Sequence, residues 1–193
     1  MSDFTLYLML GFQHIADLTA FDHIVFIVSL CAVYEIRRWK NILILVTAFT
    51  LGHSATLAFA TLGIIKIPTE LIEFLIPVTI FTTCVINVFK SGRLAERKIH
   101  FNYLLALFFG LIHGLGFSNY LRALLGRETS IWQPLLAFNS GLEIGQLLIV
   151  GISLAFATFV IKVFRARQYD WNLFISGGGA GIAIMLMIQT KFW

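Results

Sequence analysis

The chain predicts an all-α membrane protein with six transmembrane helices plus an N-terminal interfacial or re-entrant segment. Three observations carry that expectation. Of 193 residues, 59% are hydrophobic and only 12% charged, with a mean hydropathy of +0.87; soluble domains carry roughly 25% charged residues. The apolar residues gather into runs near the ~20 residues a helix needs to cross the hydrocarbon core. The basic residues fall in short clusters between those runs. No polar stretch is long enough to fold separately and no Ser/Pro/Gly linker divides the chain, so residues 1–193 read as a single integral membrane domain.

Residues 4–18 are apolar but too short to span, and Gly11 and His14 interrupt them. They fit an interfacial helix, or a re-entrant piece covering the outer mouth. The first span, 19–36, is short and has an acidic residue near its start. Spans two, three and four cover 41–65, 71–89 and 101–125. The fifth, 131–161, is longer than a crossing requires, which predicts tilt, a kink or emergence from the bilayer. The sixth, 173–193, contains Ser176-Gly177-Gly178-Gly179-Ala180-Gly181. Gly177 and Gly181 have the GxxxG spacing that lets helix backbones approach closely in lipid. A tight helix contact is expected there, within the chain or between protomers of a homo-oligomer.

Orientation follows from Lys and Arg. Arg37, Arg38 and Lys40 follow span one, Lys90, Arg93, Arg97 and Lys98 span three, and Lys162, Arg165 and Arg167 span five. Lys66, Arg122, Arg127 and Lys191 fall on the other side. The richer side should be cytoplasmic, which puts both termini outside a cell inner or plasma membrane. The net charge of +4 therefore belongs to loops between spans. A nucleic-acid partner would need a basic face on a soluble fold, and the chain has none. Met1-Ser2-Asp3 lacks the basic start of a cleaved signal peptide. Cys31 and Cys84 lie in apolar runs without CxxC spacing and read as small buried hydrophobes.

The ionisable residues inside the apolar runs carry the chemistry. Each costs ~2.5–3.5 kcal/mol at mid-bilayer on insertion scales, so their presence needs a use. His53 and His113 each stand twelve residues past the start of their runs, and Glu143 twelve past the opposite start of its own. At ~1.5 Å per residue all three lie about 18 Å from an edge, near the midplane. Thr50, His53 and Thr56 fan over a broad face of span two, whereas Asn139, Glu143 and Gln146 share one face of span five. Thr50, Asn139 and Gln146 are the expected polar neighbours of the ligands. Three glycines around His113 leave room for a helix or an ion. His14, Asp22 and His23 form an acidic, imidazole-bearing vestibule above. Adjacent helix residues point about 100° apart, so Asp22 and His23 reach one ion only if the helix is irregular there. Imidazole and carboxylate donors suit a divalent transition metal such as Ni, Co, Fe or Zn. The same residues also fit a structural polar cluster, with Asp22 and His23 as an interfacial pair. His100, Glu73 and Glu35 read as interfacial or rim charges.

Four segments resemble the HupE/UreJ family of hydrogenase and urease accessory membrane proteins. They are Gly11-Phe12-Gln13-His14-Ile15 leading into Phe21-Asp22-His23, Phe49-Thr50-Leu51-Gly52-His53-Ser54, Phe109-Gly110-Leu111-Ile112-His113-Gly114-Leu115-Gly116-Phe117, and Phe138-Asn139-Ser140-Gly141-Leu142-Glu143-Ile144-Gly145-Gln146. Where the permease pattern has His-Pro, a short spacer and Asp-His, this chain has Ile15 after His14 and seven residues before Asp22. The resemblance implies a nickel permease, with capture at His14, Asp22 and His23 and a deeper site at His53, His113 and Glu143. The alternative is an intramembrane metal-dependent hydrolase, in which Glu143 is a general base acting on metal-bound water and Ser54 positions substrate. A third reading is a structural or partner-binding membrane protein.

Overall fold

The computed structural model describes residues 3–19, 21–89, 99–125 and 131–193. Every regular element among them is helical: α1 (Asp3–Ile15), α2 (Asp22–Cys31), a 3-10 turn (Ile36–Arg38), α3 (Trp39–Thr61), α4 (Thr69–Phe89), α5 (Ile99–Gly116), α6 (Ser118–Leu125), α7 (Trp132–Val163) and α8 (Gln168–Gln189). Five residues used above for orientation (Lys90, Arg93, Arg97, Lys98 and Arg127) lie outside the described residues, as does the His100 side chain.

Among the described residues, four helices are long and apolar enough to cross a membrane, and a fifth crossing results if the bent pair α5–α6 counts as one. Of the six expected spans, the one at 19–36 is not matched by a helix long enough to cross on its own. Only α2 is α-helical there, and ten residues reach about 15 Å against a ~30 Å hydrocarbon core. The local chemistry explains the break. Asp17 Oδ1 accepts from both the backbone N–H (2.8 Å) and the hydroxyl (2.7 Å) of Thr19, a side-chain turn that competes with helix. At the other end the Tyr34 N–H closes a tight turn onto the Cys31 carbonyl (2.9 Å). The 101–125 run is also not straight. It bends by 49° between Gly116 and Ser118, where the Ser118 hydroxyl takes the Leu115 carbonyl at 2.8 Å.

The long helices begin and end for local reasons. α3 stops in a Schellman motif, with Gly63 at φ +76°, Gly63 N–H on the Ala60 carbonyl and Ile64 N–H on the Phe59 carbonyl. Glycine suits that left-handed position because it has no Cβ to clash. α7 runs 32 residues without interruption, about 48 Å, so it crosses tilted or projects beyond the core. α4 contains Pro77, whose missing N–H leaves the Glu73 carbonyl without its in-helix donor.

Packing organises these helices into close pairs: α3 with α5, α1 with α7, and α4 with α8. The first two run parallel. A Cβ on Gly52 would meet the Leu107 carbonyl, one on Gly110 the Phe49 carbonyl, and one on Gly114 the His53 carbonyl. Likewise Gly141 abuts the Leu8 carbonyl, Gly11 the Phe138 carbonyl, and Gly145 the Ile15 side chain. In lipid, association comes from such backbone approach rather than from the hydrophobic effect. Gly177 and Gly181 have open space beside them, and Gly179 instead makes the close approach, to Ser29 and Cys84. The expected contact at the GxxxG pair is thus not made within the chain. Phe26, Phe49 and Phe138 fill the centre, and both cysteines are buried and unpaired.

Candidate metal centre

His14 closes the last turn of α1 and His23 opens α2, so the break between the helices carries an imidazole on each side. His53 faces them from α3, held by the glycine contacts to α5, and His113 from the last turn of α5. One ligand atom from each of His14, His23 and His53 lies within 4.8 Å of the other two. The His113 ring adjoins His23, with centroids 5.0 Å apart. Phe117 and Phe138 wall the site against His14, at 4.2 and 5.8 Å between centroids. Phe26 and Phe49 wall it against His113, at 5.3 and 5.2 Å.

Hydrogen bonds assign two of the tautomers. The Thr79 hydroxyl donates to the Ile76 carbonyl at 2.7 Å, so its oxygen accepts from His113 Nε2 at 2.9 Å. That leaves the lone pair of His113 on Nδ1, which has no partner. On His23, Nδ1 lies 3.2 Å from Asp22 Oδ1; a carboxylate only accepts, so Nδ1 donates and Nε2 carries the free lone pair. His23 Nε2, His14 Nε2 and both nitrogens of His53 are buried without a partner among the described residues. Buried polar nitrogens left unpaired are costly, and several facing one another form a donor set for a cation. With metal–nitrogen bonds of about 2.0–2.1 Å, two ligands of one ion sit at most ~4.2 Å apart, so the trio is within roughly an ångström of bonding reach. The residues fit a divalent transition ion.

The remaining predicted residues fall around this group. Asp22 is an orienting partner of His23, joined to the trio through that hydrogen bond. Glu143 is half-buried and accepts from the Thr47 hydroxyl at 3.2 Å; it is not one of the three converging residues. Gln146 is fully buried, with Oε1 accepting from Thr50 at 2.7 Å and Nε2 unpartnered. Asn139 Oδ1 is also unpartnered. The Ser54 hydroxyl is committed to the Thr50 carbonyl at 2.7 Å.

The HupE / UreJ protein family model matches residues 1–193, the whole chain. The chain belongs to the HupE/UreJ family. Among curated proteins and among solved structures, none matches it.

In this HupE/UreJ chain two features escaped the sequence reading. Thr79 sets the His113 tautomer, and its only signal was a hydroxyl in an apolar run, the same as that of Thr82 and Thr83. A second polar group joins α2, α4 and α8. Asn87 donates to the Ser29 carbonyl (2.7 Å) and the Ser176 hydroxyl (3.3 Å), and Asn172 donates to the Asn87 carbonyl (3.0 Å). These bonds tie the three helices together, as interhelical polar contacts do in lipid.

Proposed function

We propose that this HupE/UreJ chain is a membrane permease for a divalent transition metal such as nickel, with the ion as transported substrate. The observation that carries the reading is the convergence of His14, His23 and His53, with unpartnered nitrogens, at the break between α1 and α2. α1 descends beside α7 in the same direction, and α2 continues beside α4, from Asp22 near Ile76 and Pro77 to Ser29 near Cys84 and Asn87. Their 13 and 10 residues make about 35 Å of helix, enough for one crossing that is broken part-way down. With α3, α4, α5–α6, α7 and α8 this makes six crossings, with both termini outside. Broken helices are where transporters hold ions, because helix ends expose groups a continuous helix keeps bonded.

A route follows from the same arrangement. A cavity of about 200 Å³ lined by Thr19, Asp22, Glu73, Pro77 and Thr190 offers two carboxylates and hydroxyl oxygens to an arriving cation. Asp22 belongs both to that cavity and to the His23 hydrogen bond, so it links the way in to the imidazoles. His113 Nδ1 supplies a fourth donor beside His23. Beyond, Gln146 with Thr50 and Glu143 with Thr47 form polar rungs between α7 and α3 on which the ion leaves. Few, exchangeable neutral ligands favour release, as conduction requires. The chain as one domain, the metal as its partner and the bilayer as its solvent are parts of this reading. Purified protein in liposomes tests it: nickel flux that His53→Ala abolishes supports a permease. Metal binding without flux, or turnover of a substrate without flux, overturns it.

A further inference from the structure

A groove of about 440 Å³ opens at the other end of the molecule, away from the imidazoles. Its charged lip is Arg37 from the 3-10 turn and Lys162 from the last turn of α7, and Glu35, just before the 3-10 turn, also lines the groove. Its floor is apolar: Leu154, Ala157 and Ile161 descend α7 from the lip. The floor continues onto lipid-facing side chains, with Phe156 57% and Phe159 56% exposed. Gln168 closes the back wall by donating to the Ala32 carbonyl at 2.8 Å.

The depth of the groove is fixed by the helices that form it. The Ile36–Thr61 crossing begins at the 3-10 turn and the Trp132–Val163 crossing ends beside it. Lys40 sits over the half-exposed Trp39 ring at 5.8 Å, an aromatic placed as in the interfacial belt. Arg37 and Lys162 are both exposed and have no ion-pair partner among the described residues. A ligand for this surface needs an anionic head at the interface and an apolar tail along α7. A soluble anion satisfies only the lip, and an apolar helix only the floor.

We propose that this groove binds an anionic glycerophospholipid. The phosphate lies between Arg37 and Lys162, one acyl chain runs over Leu154, Ala157 and Ile161, and Glu35 accepts a hydroxyl of a glycerol headgroup. Cationic pockets at the membrane surface recognise lipid heads in this way.

The test uses the full chain in nanodiscs of equal phosphatidylcholine and phosphatidylglycerol, released for native mass spectrometry. Retained phosphatidylglycerol should exceed phosphatidylcholine. The exposed substitutions Arg37→Gln and Lys162→Gln should each reduce retention about fivefold, and together roughly tenfold or more. Lys66→Gln and Lys191→Gln, at the opposite end, should leave it unchanged. Ala157→Phe fills the floor without touching the charges, so it should also reduce retention; unchanged retention in this variant means charge attraction without a built groove and overturns the proposal. Equal retention of the two lipids, parental retention in the Arg37/Lys162 double variant, or release of the lipid by excess inorganic phosphate overturns it as well.

Discussion

At the scale of single residues, the proposed site separates candidate ligands from the groups that orient them. His53 has both ring nitrogens buried and unpartnered, so no group among the described residues competes with an ion for it. His53→Ala should therefore lower nickel content, read by elemental analysis, by at least about tenfold; parental content would remove His53 from the site. Asp22 acts through His23. Asp22→Asn keeps the shape but loses the pure acceptor that holds Nδ1–H, and such outer partners are worth about 10–100-fold in metal affinity. Glu143 tests the geometry from the other side. Because it bonds Thr47 rather than joining the trio, Glu143→Gln should retain bound nickel while slowing transport. Loss of the metal in that variant would make Glu143 a ligand after all.

At the scale of elements, the legible and illegible parts divide along physical lines. Ionisable side chains in apolar runs are rare and costly, so His14, Asp22, His23, His53 and His113 could be picked out without a structure. Depth along a helix could be counted too. Position around the bundle could not, and that is why Glu143, counted to the same depth as His53 and His113, stands beside Thr47 on the α3–α7 contact. The break between α1 and α2 was hidden because hydropathy averages over Asp17 and Thr19, whose side-chain turn follows the end of α1. GxxxG spacing has a related limit: it names a face but not what lies opposite, and within the chain nothing lies opposite Gly177 and Gly181. The consequence is testable in melting experiments on detergent-solubilised protein. Gly110→Ala drives a methyl into the Phe49 backbone carbonyl, and overpacking costs about 1–3 kcal/mol, outweighing the gain of up to ~1 kcal/mol in helix propensity. Gly177→Ala meets nothing within 4 Å, so the propensity gain should appear alone and the protein should melt at the same temperature or slightly higher. Equal destabilisation by the two variants would refute the assigned helix contacts.

At the scale of the whole molecule, the remaining question is which way the bundle faces. Arg37, Arg38 and Lys40 lie where α3 begins, and Lys162, Arg165 and Arg167 where α7 gives way to α8. The Gln168 hydrogen bond to the Ala32 carbonyl and the shared groove at Arg37 and Lys162 bring these clusters to one end. Lys66 and Arg122 line a cavity at the other end, where Arg122 donates to the Ala60 carbonyl. Lys191 lies there too, just past α8, next to the Phe74–Trp193 ring contact. Positive charge resists translocation, so the end with six of these basic residues should stay in the cytoplasm and the acidic cavity at Asp22 and Glu73 should open outward. Alkaline phosphatase fused after Trp193 should then be active, and fused after Arg165 inactive. A fluorescent protein that matures only in the cytoplasm should give the reverse pattern at the same two positions. The opposite result would place Asp22 and Glu73 on the cytoplasmic side and overturn the proposed entry from outside.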